Sequence, residues 1–288
     1  MRSFIISLSL LFAAFTANAQ TMPSSLSTDF KLQKKGQFYF YWGYNRAWFA
    51  KSDINFSGPN YNFTLHDVVA KDRPSSLSWQ YLNITEFSVP QYNYRLGYFI
   101  SDKYSISVGW DHMKYVMQVP QTVKISGHIG EEISSPGIPT NKPSGNYAGD
   151  YNNDPINIFP DFLTFEHTDG LNYISVAGER YDQLWQSKRH PKLGLTVVTG
   201  LGAGIVLPRS DVRLFETGEN NHFNVAGWGI SASAGIKFNI LKWLYFQSDI
   251  KAGYLDMNNI HTTGRNKIDG ASQHIKFLEN YWVLGFRI

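Results

Sequence analysis

The stretch Phe165–Glu179, FEHTDGLNYISVAGE, holds His167, Asp169 and Glu179, an imidazole close in sequence to two carboxylates. Those side chains suit general acid–base work, with the imidazole moving a proton and a carboxylate orienting it. A second set, Asp150, Asp154, Asp161 and Asp169, lies in and after a Gly/Pro/Asn-rich run and offers hard oxygen ligands. Such ligands suit calcium or magnesium. A third set, Arg95, Asp111, Asp249, Lys251, Glu279 and Arg287, is scattered along the chain, always in segments of alternating polarity. Charges of both signs in a narrow interior must pair, because an isolated buried charge is too costly. The chain has no cysteine, which excludes disulfides, thiol chemistry and thiolate zinc sites. Its Gly pairs lie inside alternating segments rather than before a helix, so no phosphate-binding loop is expected.

The elements that carry these residues alternate with a period of two. Tyr92, Tyr94, Leu96, Tyr98 and Ile100 stand against Gln91, Asn93, Arg95 and Gly97. After Ser101–Lys103 the pattern resumes, with Tyr104, Ile106, Val108 and Trp110 against Ser105, Ser107, Gly109 and Asp111. Similar runs cover 37–48, 192–207, 224–238, 243–255 and 278–288, and a less regular one covers 171–185. Period-two alternation predicts strands. The second face holds Gly and Ser repeatedly, too small for an ordinary solvent face but suited to a crowded barrel interior. The large apolar face is therefore expected to meet lipid. His112 and Lys114 interrupt that face, so the third strand either leaves the membrane there or bulges, letting Met113, Tyr115 and Met117 take over.

Short connections at 101–103, 186–191 and 239–242 alternate with long ones at roughly 52–88, 120–170, 208–222 and 257–273. Long and short connections in alternation are the outer-membrane arrangement. The expected fold is all-β: an eight-stranded antiparallel transmembrane up-and-down β-barrel with long extracellular loops. The segment 61–69 is expected to form a hairpin above the membrane. Aromatic residues make up 16% and charged residues 17% of the chain, against about 25% charged in soluble proteins. Tyr and Trp favour membrane interfaces. The four long connections carry eight Lys and Arg against fifteen Asp and Glu, so the outer surface is acidic although the whole chain is +3.

At the N-terminus, Met1-Arg2, the apolar run Phe4–Phe15 and the small residues before Gln20 predict a secretory signal peptide over 1–19. A periplasmic segment over 20–35 and the barrel over 36–288 follow. The run FIISLSLLFAAF falls short of the roughly 20 residues a spanning helix needs.

The signal peptide, the eight alternating strands and the terminal YWVLGFRI resemble small outer-membrane barrels of the outer-membrane protein A and palmitoyltransferase-like superfamily. FYFYWGYNRAWFAKSDINF and QYNYRLGYFISDKYSISVGWDHMKYVM resemble outer-membrane proteins of Bacteroidetes, a Gram-negative group. The resemblance implies location and fold rather than activity. The His167 segment also resembles the site of lipid A deacylases, with His167 and Glu179 at the histidine and acid positions of that motif. Asp169 stands where that family has Ser, so the attacking hydroxyl is missing.

The expected role is structural or interactive: an outer-membrane barrel whose lumen is plugged by the six inward charges. Two alternatives are a lipid-modifying hydrolase using His167 at the outer rim, and a narrow channel for small or apolar solutes. Outer-membrane lipid, lipopolysaccharide and the barrel assembly machinery are the expected partners, without nucleic acid. No cofactor is expected beyond calcium or magnesium at the acidic loops, and the protein is expected to be a monomer. N-terminal sequencing of the exported protein should begin at Gln20; an intact Met1 would remove the signal-peptide reading.

Overall fold

Strict alternation of large and small side chains shapes most of the chain. The computed structural model describes residues 31–76, 91–131, 147–218, 222–264 and 268–288. Their strands in chain order are β1 (Phe38–Phe49), β2 (Ser52–Gly58), β3 (Tyr61–Val68), β4 (Ala70–Lys71), β5 (Tyr92–Phe99), β6 (Tyr104–Met117) and β7 (Gln121–Ile129). Then come β8 (Gly149–Ile158), β9 (Leu163–Gln186), β10 (Gly194–Pro208), β11 (Asp211–Leu214), β12 (Gly227–Asn239), β13 (Leu244–Ile260) and β14 (Gly270–Arg287).

Eight of these form an antiparallel ring in the order β1-β5-β6-β9-β10-β12-β13-β14, and β14 pairs back onto β1. The closing seam runs from Tyr39 opposite Arg287 to Phe49 opposite Phe277. Closure leaves these eight strands without a free edge along the seam, the usual hazard of an open sheet. The short connections and the last residue lie at one end of the ring, the turn end. The long connections lie at the other, the loop end.

The loop end departs from the expected loops. The connections at 52–88 and 120–170 contain β2, β3, β4, β7 and β8, and β9 begins at Leu163 rather than near Leu171. The reason is that the sheet continues beyond the ring. Gly270–Gln273 of β14 pairs with β2, which pairs with β3, then β7, then β8. This four-strand flap brings Ile54, Phe56, Phe63 and Leu65 onto Leu171, Val206, Met257 and Ile275 of the ring strands in one apolar cluster. Edge-on and stacked rings build it: Phe56 lies 5.2 Å from Phe63 and 5.9 Å from Phe165, centroid to centroid. Gln273 fastens flap to ring by donating to Ser52 Oγ at 2.8 Å and Tyr115 Oη at 2.7 Å.

Met113, Tyr115 and Met117 belong to this cluster. They do not replace His112 and Lys114 on the outward face, as the interrupted pattern allowed. A register shift between Met113 and Tyr115 does occur against β9, but the three side chains stay on the inward face with Asp111. The inward face itself turns from polar to apolar there.

Inside the lower ring a second cluster contains Tyr39, Tyr41, Phe99, Tyr181, Tyr245 and Tyr281. Glycine makes room for it. The Tyr39 ring lies where a Cβ on Gly97 would stand, and the Tyr245 ring occupies the same place beside Gly285. The small face is thus small because larger neighbours lie across it. Replacing Gly97 or Gly285 by Leu should displace those rings and cost about 1–3 kcal/mol or more. The outward Leu96→Ile should stay within about 0.5 kcal/mol. Urea unfolding followed by tryptophan fluorescence measures the difference.

Candidate functional site

The inward charges meet in two linked groups between the aromatic layer and the apolar cap. Arg95 of β5 faces Glu179 of β9 across β6, with Nη1 3.1 Å from Oε1, and both are buried. Arg95 also donates to Ser107 Oγ at 2.9 Å. Glu179 accepts three more hydrogen bonds, from Tyr39 at 3.0 Å, Ser105 at 2.6 Å and Ser107 at 2.5 Å. So many donors fix the position of the Glu179 carboxyl. In the second group Lys251 of β13 lies between two carboxylates, 2.6 Å from Asp111 and 3.3 Å from Glu279. Asn93 donates to the same two acids, at 2.6 Å and 3.0 Å. Asp249 accepts from Gln247 at 2.8 Å. A void of ≈ 10 Å³ beside Arg95, Glu179 and Asp249 has room for about one water.

Of the six charges expected inside, five join these groups. Arg287 does not pair with a carboxylate there. It lies at the turn end, where its guanidinium donates to the backbone carbonyls of Leu32 and Leu241. Leu32 and Gln33 are themselves buried, and Gln33 donates to Thr196 Oγ1 of β10 at 3.3 Å. The segment before β1 therefore enters the ring and Arg287 clasps it.

Lys237 escaped the sequence pattern. It is fully buried, its Nζ lies 3.8 Å from the Tyr245 ring centroid and 4.8 Å from that of Tyr181, and Phe99 and Tyr39 stand further out. Ring faces attract a cation electrostatically. The signal was present: Lys237 shares its odd-numbered face on β12 with Gly235 and Ser233.

The rim constellation does not assemble. Glu179 lies inside the ring, not at its outer rim with His167. The two are twelve positions apart on one continuous strand, β9, or about 40 Å at ~3.3 Å per residue. His167 is buried in the apolar cap beyond the last outward apolar residues of β9, beside Phe165 and Tyr115. Burial pushes its imidazole down to about 3, so it is neutral at physiological pH. Its Nδ1 lies 2.8 Å from Ser210 Oγ, a hydroxyl brought from the β10–β11 connection, and its Nε2 has no hydrogen-bond partner. Asp169 is engaged elsewhere, 3.6 Å from Arg209.

The four aspartates do not converge on a common point either. Asp150 bonds His128 at 2.7 Å, Asp154 accepts from the Asn152 amide at 2.7 Å, and Asp161 accepts from Tyr147 Oη at 3.0 Å. Among the described residues, no group of three or more His, Asp or Glu is arranged to hold a metal ion.

No protein-family model matches the chain, and no curated protein matches it. Among solved structures, the chain is similar to the outer membrane protein OprG from Pseudomonas aeruginosa, with 9% identity, 89% of this chain and 97% of that chain covered, and a TM-score of 0.43. It is similar to the attachment invasion locus protein Ail of Yersinia pestis at 9% identity, 88% and 99% coverage and a TM-score of 0.30. For Neisserial surface protein A the values are 12%, 88%, 99% and 0.31. At these identities and superpositions, the reading of the site rests on the chain's own residues.

The network makes a measurable claim. Arg95→Ala or Glu179→Ala alone leaves a buried partner uncompensated and should cost roughly 3–5 kcal/mol. The double replacement should cost clearly less than the two singles together. Additive losses in urea unfolding would mean that the two side chains are not coupled.

Proposed function

We propose that the protein is a monomeric, integral outer-membrane β-barrel with a closed lumen, serving a structural or surface-interaction role. The observation that carries this reading is the inverted surface of the ring. Leu96, Ile106, Val108, Val176, Leu201 and Ile250 point outward and are more than half exposed, while Arg95, Glu179, Lys251 and Asp111 are buried inside. A water-soluble protein rarely leaves so large a continuous apolar surface uncovered. In lipid the same surface is satisfied, and a closed ring leaves no unpaired backbone group in the bilayer.

The edges of the belt support the same reading. Near the loop end Trp48, Trp110, Trp228 and Tyr254 face outward. Near the turn end Phe38, Tyr98, Tyr104, Trp243 and Phe286 do so, with Trp243 stacked on Phe286. Paired aromatic girdles mark the two interfaces of membrane barrels. On β12 the belt runs from Trp228 to Phe238. That is about 33 Å of strand, or about 25 Å of membrane at a tilt near 40°. Beyond the girdles the outward residues turn polar, with His274 and Lys276 on one side and Lys103 and the Arg180–Asp182 pair on the other.

The closed lumen is supported by three stacked layers: aromatic rings with the clasped N-terminal segment, the paired charges, and the apolar cap. An eight-stranded ring is just wide enough for its own side chains. Outer-membrane lipid is then the principal partner.

Leu201→Arg places a cation on the lipid face near mid-belt, a change that costs about 2–4 kcal/mol at the bilayer midplane. It should lower the yield of folded protein in vesicles, read as the fraction migrating faster on unheated SDS gels, whereas Leu201→Phe should not. Equal folding of both variants would sink the membrane reading. In planar bilayers the unmodified protein should give no steady conductance; stable open-channel currents would instead remove the closed lumen.

A further inference from the structure

The flap carries a constellation outside the sites above. On its outward face, Asp53 of β2, His66 of β3 and Ser126 of β7 stand in line across three neighbouring strands. Asp53 Oδ2 lies 3.2 Å from His66 Nδ1, and Ser126 Oγ lies 3.0 Å from His66 Nε2. Both outer members are held from behind. The Asp67 amide donates to Asp53 Oδ1 at 2.9 Å, and the Asn153 amide donates to Ser126 Oγ at 3.1 Å. The hydrogen bonds therefore have one consistent direction. With the imidazole proton on Nδ1 and given to Asp53, Nε2 offers its lone pair to Ser126, whose oxygen already accepts from Asn153. Its hydroxyl proton then points at Nε2.

The backbone is irregular at each corner of this group. The β2–β3 register shifts between Ser52 and Ile54, at Asp53, and the β7–β8 register shifts between Ile125 and Ser126. Asp67, Gly127 and Asn153 adopt positive φ of 55°, 114° and 62°. Bulges re-aim side chains and concentrate near active sites. The His66–Ser126 contact is a diagonal one across a regular β3–β7 register, which sets His66 opposite Lys124 and Ser126 opposite Thr64; the irregular β2–β3 pairing adds Asp53 on the far side of His66. The site is open: the His66 side chain is 32% exposed and Asp53 59%.

We infer that Ser126, His66 and Asp53 form a serine-hydrolase triad on the outer flap, acting on carboxylic esters with short acyl groups on polar carriers. A triad is recognised by geometry and roles rather than by position in the chain. Ser126 Oγ attacks the ester carbonyl while its proton passes to His66 Nε2. The ester C–O bond breaks, and His66 returns that proton to the departing alkoxide, releasing the alcohol and leaving acyl-Ser126. Water, deprotonated by His66, then cleaves the acyl-serine bond; the carboxylic acid leaves and the serine is restored. Asp53 holds the imidazole in the required tautomer and stabilises its charged form. Lys124 donates to the Asn153 carbonyl at 3.3 Å, on the same residue whose amide donates to Ser126, and so helps hold the backbone behind the serine. The substrate class follows from the surroundings. Asn55, Thr64, Lys124 and His128 make the face polar and open, with no apolar slot for a long chain among the described residues.

A fluorophosphonate probe on the full-length protein folded in detergent tests the site. Mass spectrometry should find the adduct on Ser126, absent in Ser126→Ala and at least 100-fold slower to form in His66→Ala. Asp53→Asn should slow it as well, through the tautomer. Each variant should keep its heat-modifiable gel shift, because all three positions lie on the solvent face of the flap. Hydrolysis of p-nitrophenyl acetate should depend on Ser126 and exceed that of the palmitate ester. No adduct on Ser126, or labelling that ignores His66, would overturn the triad. Faster cleavage of palmitate would overturn the substrate class.

Discussion

Everything in this molecule answers to the closure of the ring by β1 and β14. Once that seam is made, each ring strand has one face inside a narrow tube and one outside it, and neither face can choose its surroundings afterwards. The interior is too tight for solvent to satisfy six ionisable side chains separately. Five of those that lie within it satisfy one another instead, through Arg95 with Glu179 and Lys251 between Asp111 and Glu279. Glycines at 97 and 285 exist in the same tube to let Tyr39 and Tyr245 lie flat across their strands. Charge pairing and ring packing are two results of one geometric restriction.

Much of the ring was legible in the sequence, because a period of two is a local signal and eight repetitions of it are hard to mistake. The inward positions of Arg95, Asp111, Asp249, Lys251 and Glu279 followed from parity alone. Lys237 was missed although it shares that parity, and its place among four aromatic rings could not be anticipated, since those rings come from strands far apart in the chain. The loop end was read less well. Length and Gly/Pro/Asn content suggested loops, yet β2, β3, β7 and β8 are held by pairing with one another and with β14, a tertiary relation that no local window contains. Glu179 was misplaced for a related reason. Twelve residues are a short interval in sequence but a long one in extended chain, so spacing alone set it near His167.

The flap also reverses the logic of the ring. Below, apolar side chains face out and polar ones face in. Above Asp111 on β6 the inward face becomes Met113, Tyr115 and Met117, and the outward surface of the flap becomes hydrophilic. In the outer-membrane placement proposed above, one continuous sheet meets two solvents. The change of sign falls where the outward aromatic girdle ends, which fits a strand passing from hydrocarbon into water. It also leaves the flap's outer face free to carry polar side chains while its inner face packs against the ring strands.

The clasp at the turn end bears on connectivity. Phe38 and Ile288 exchange backbone hydrogen bonds at 3.2 Å and 3.0 Å, and Arg287 grips the carbonyl of Leu32. The start of β1 and the end of β14 are therefore neighbours, and the order in which the ring strands are joined could be permuted. A linker across this junction, with new ends cut in the 187–193 turn, would preserve every strand pairing of the ring. The seam that joins the first and last strands of the ring and the clasp on the segment inside it thus share one side chain's neighbourhood, that of Arg287.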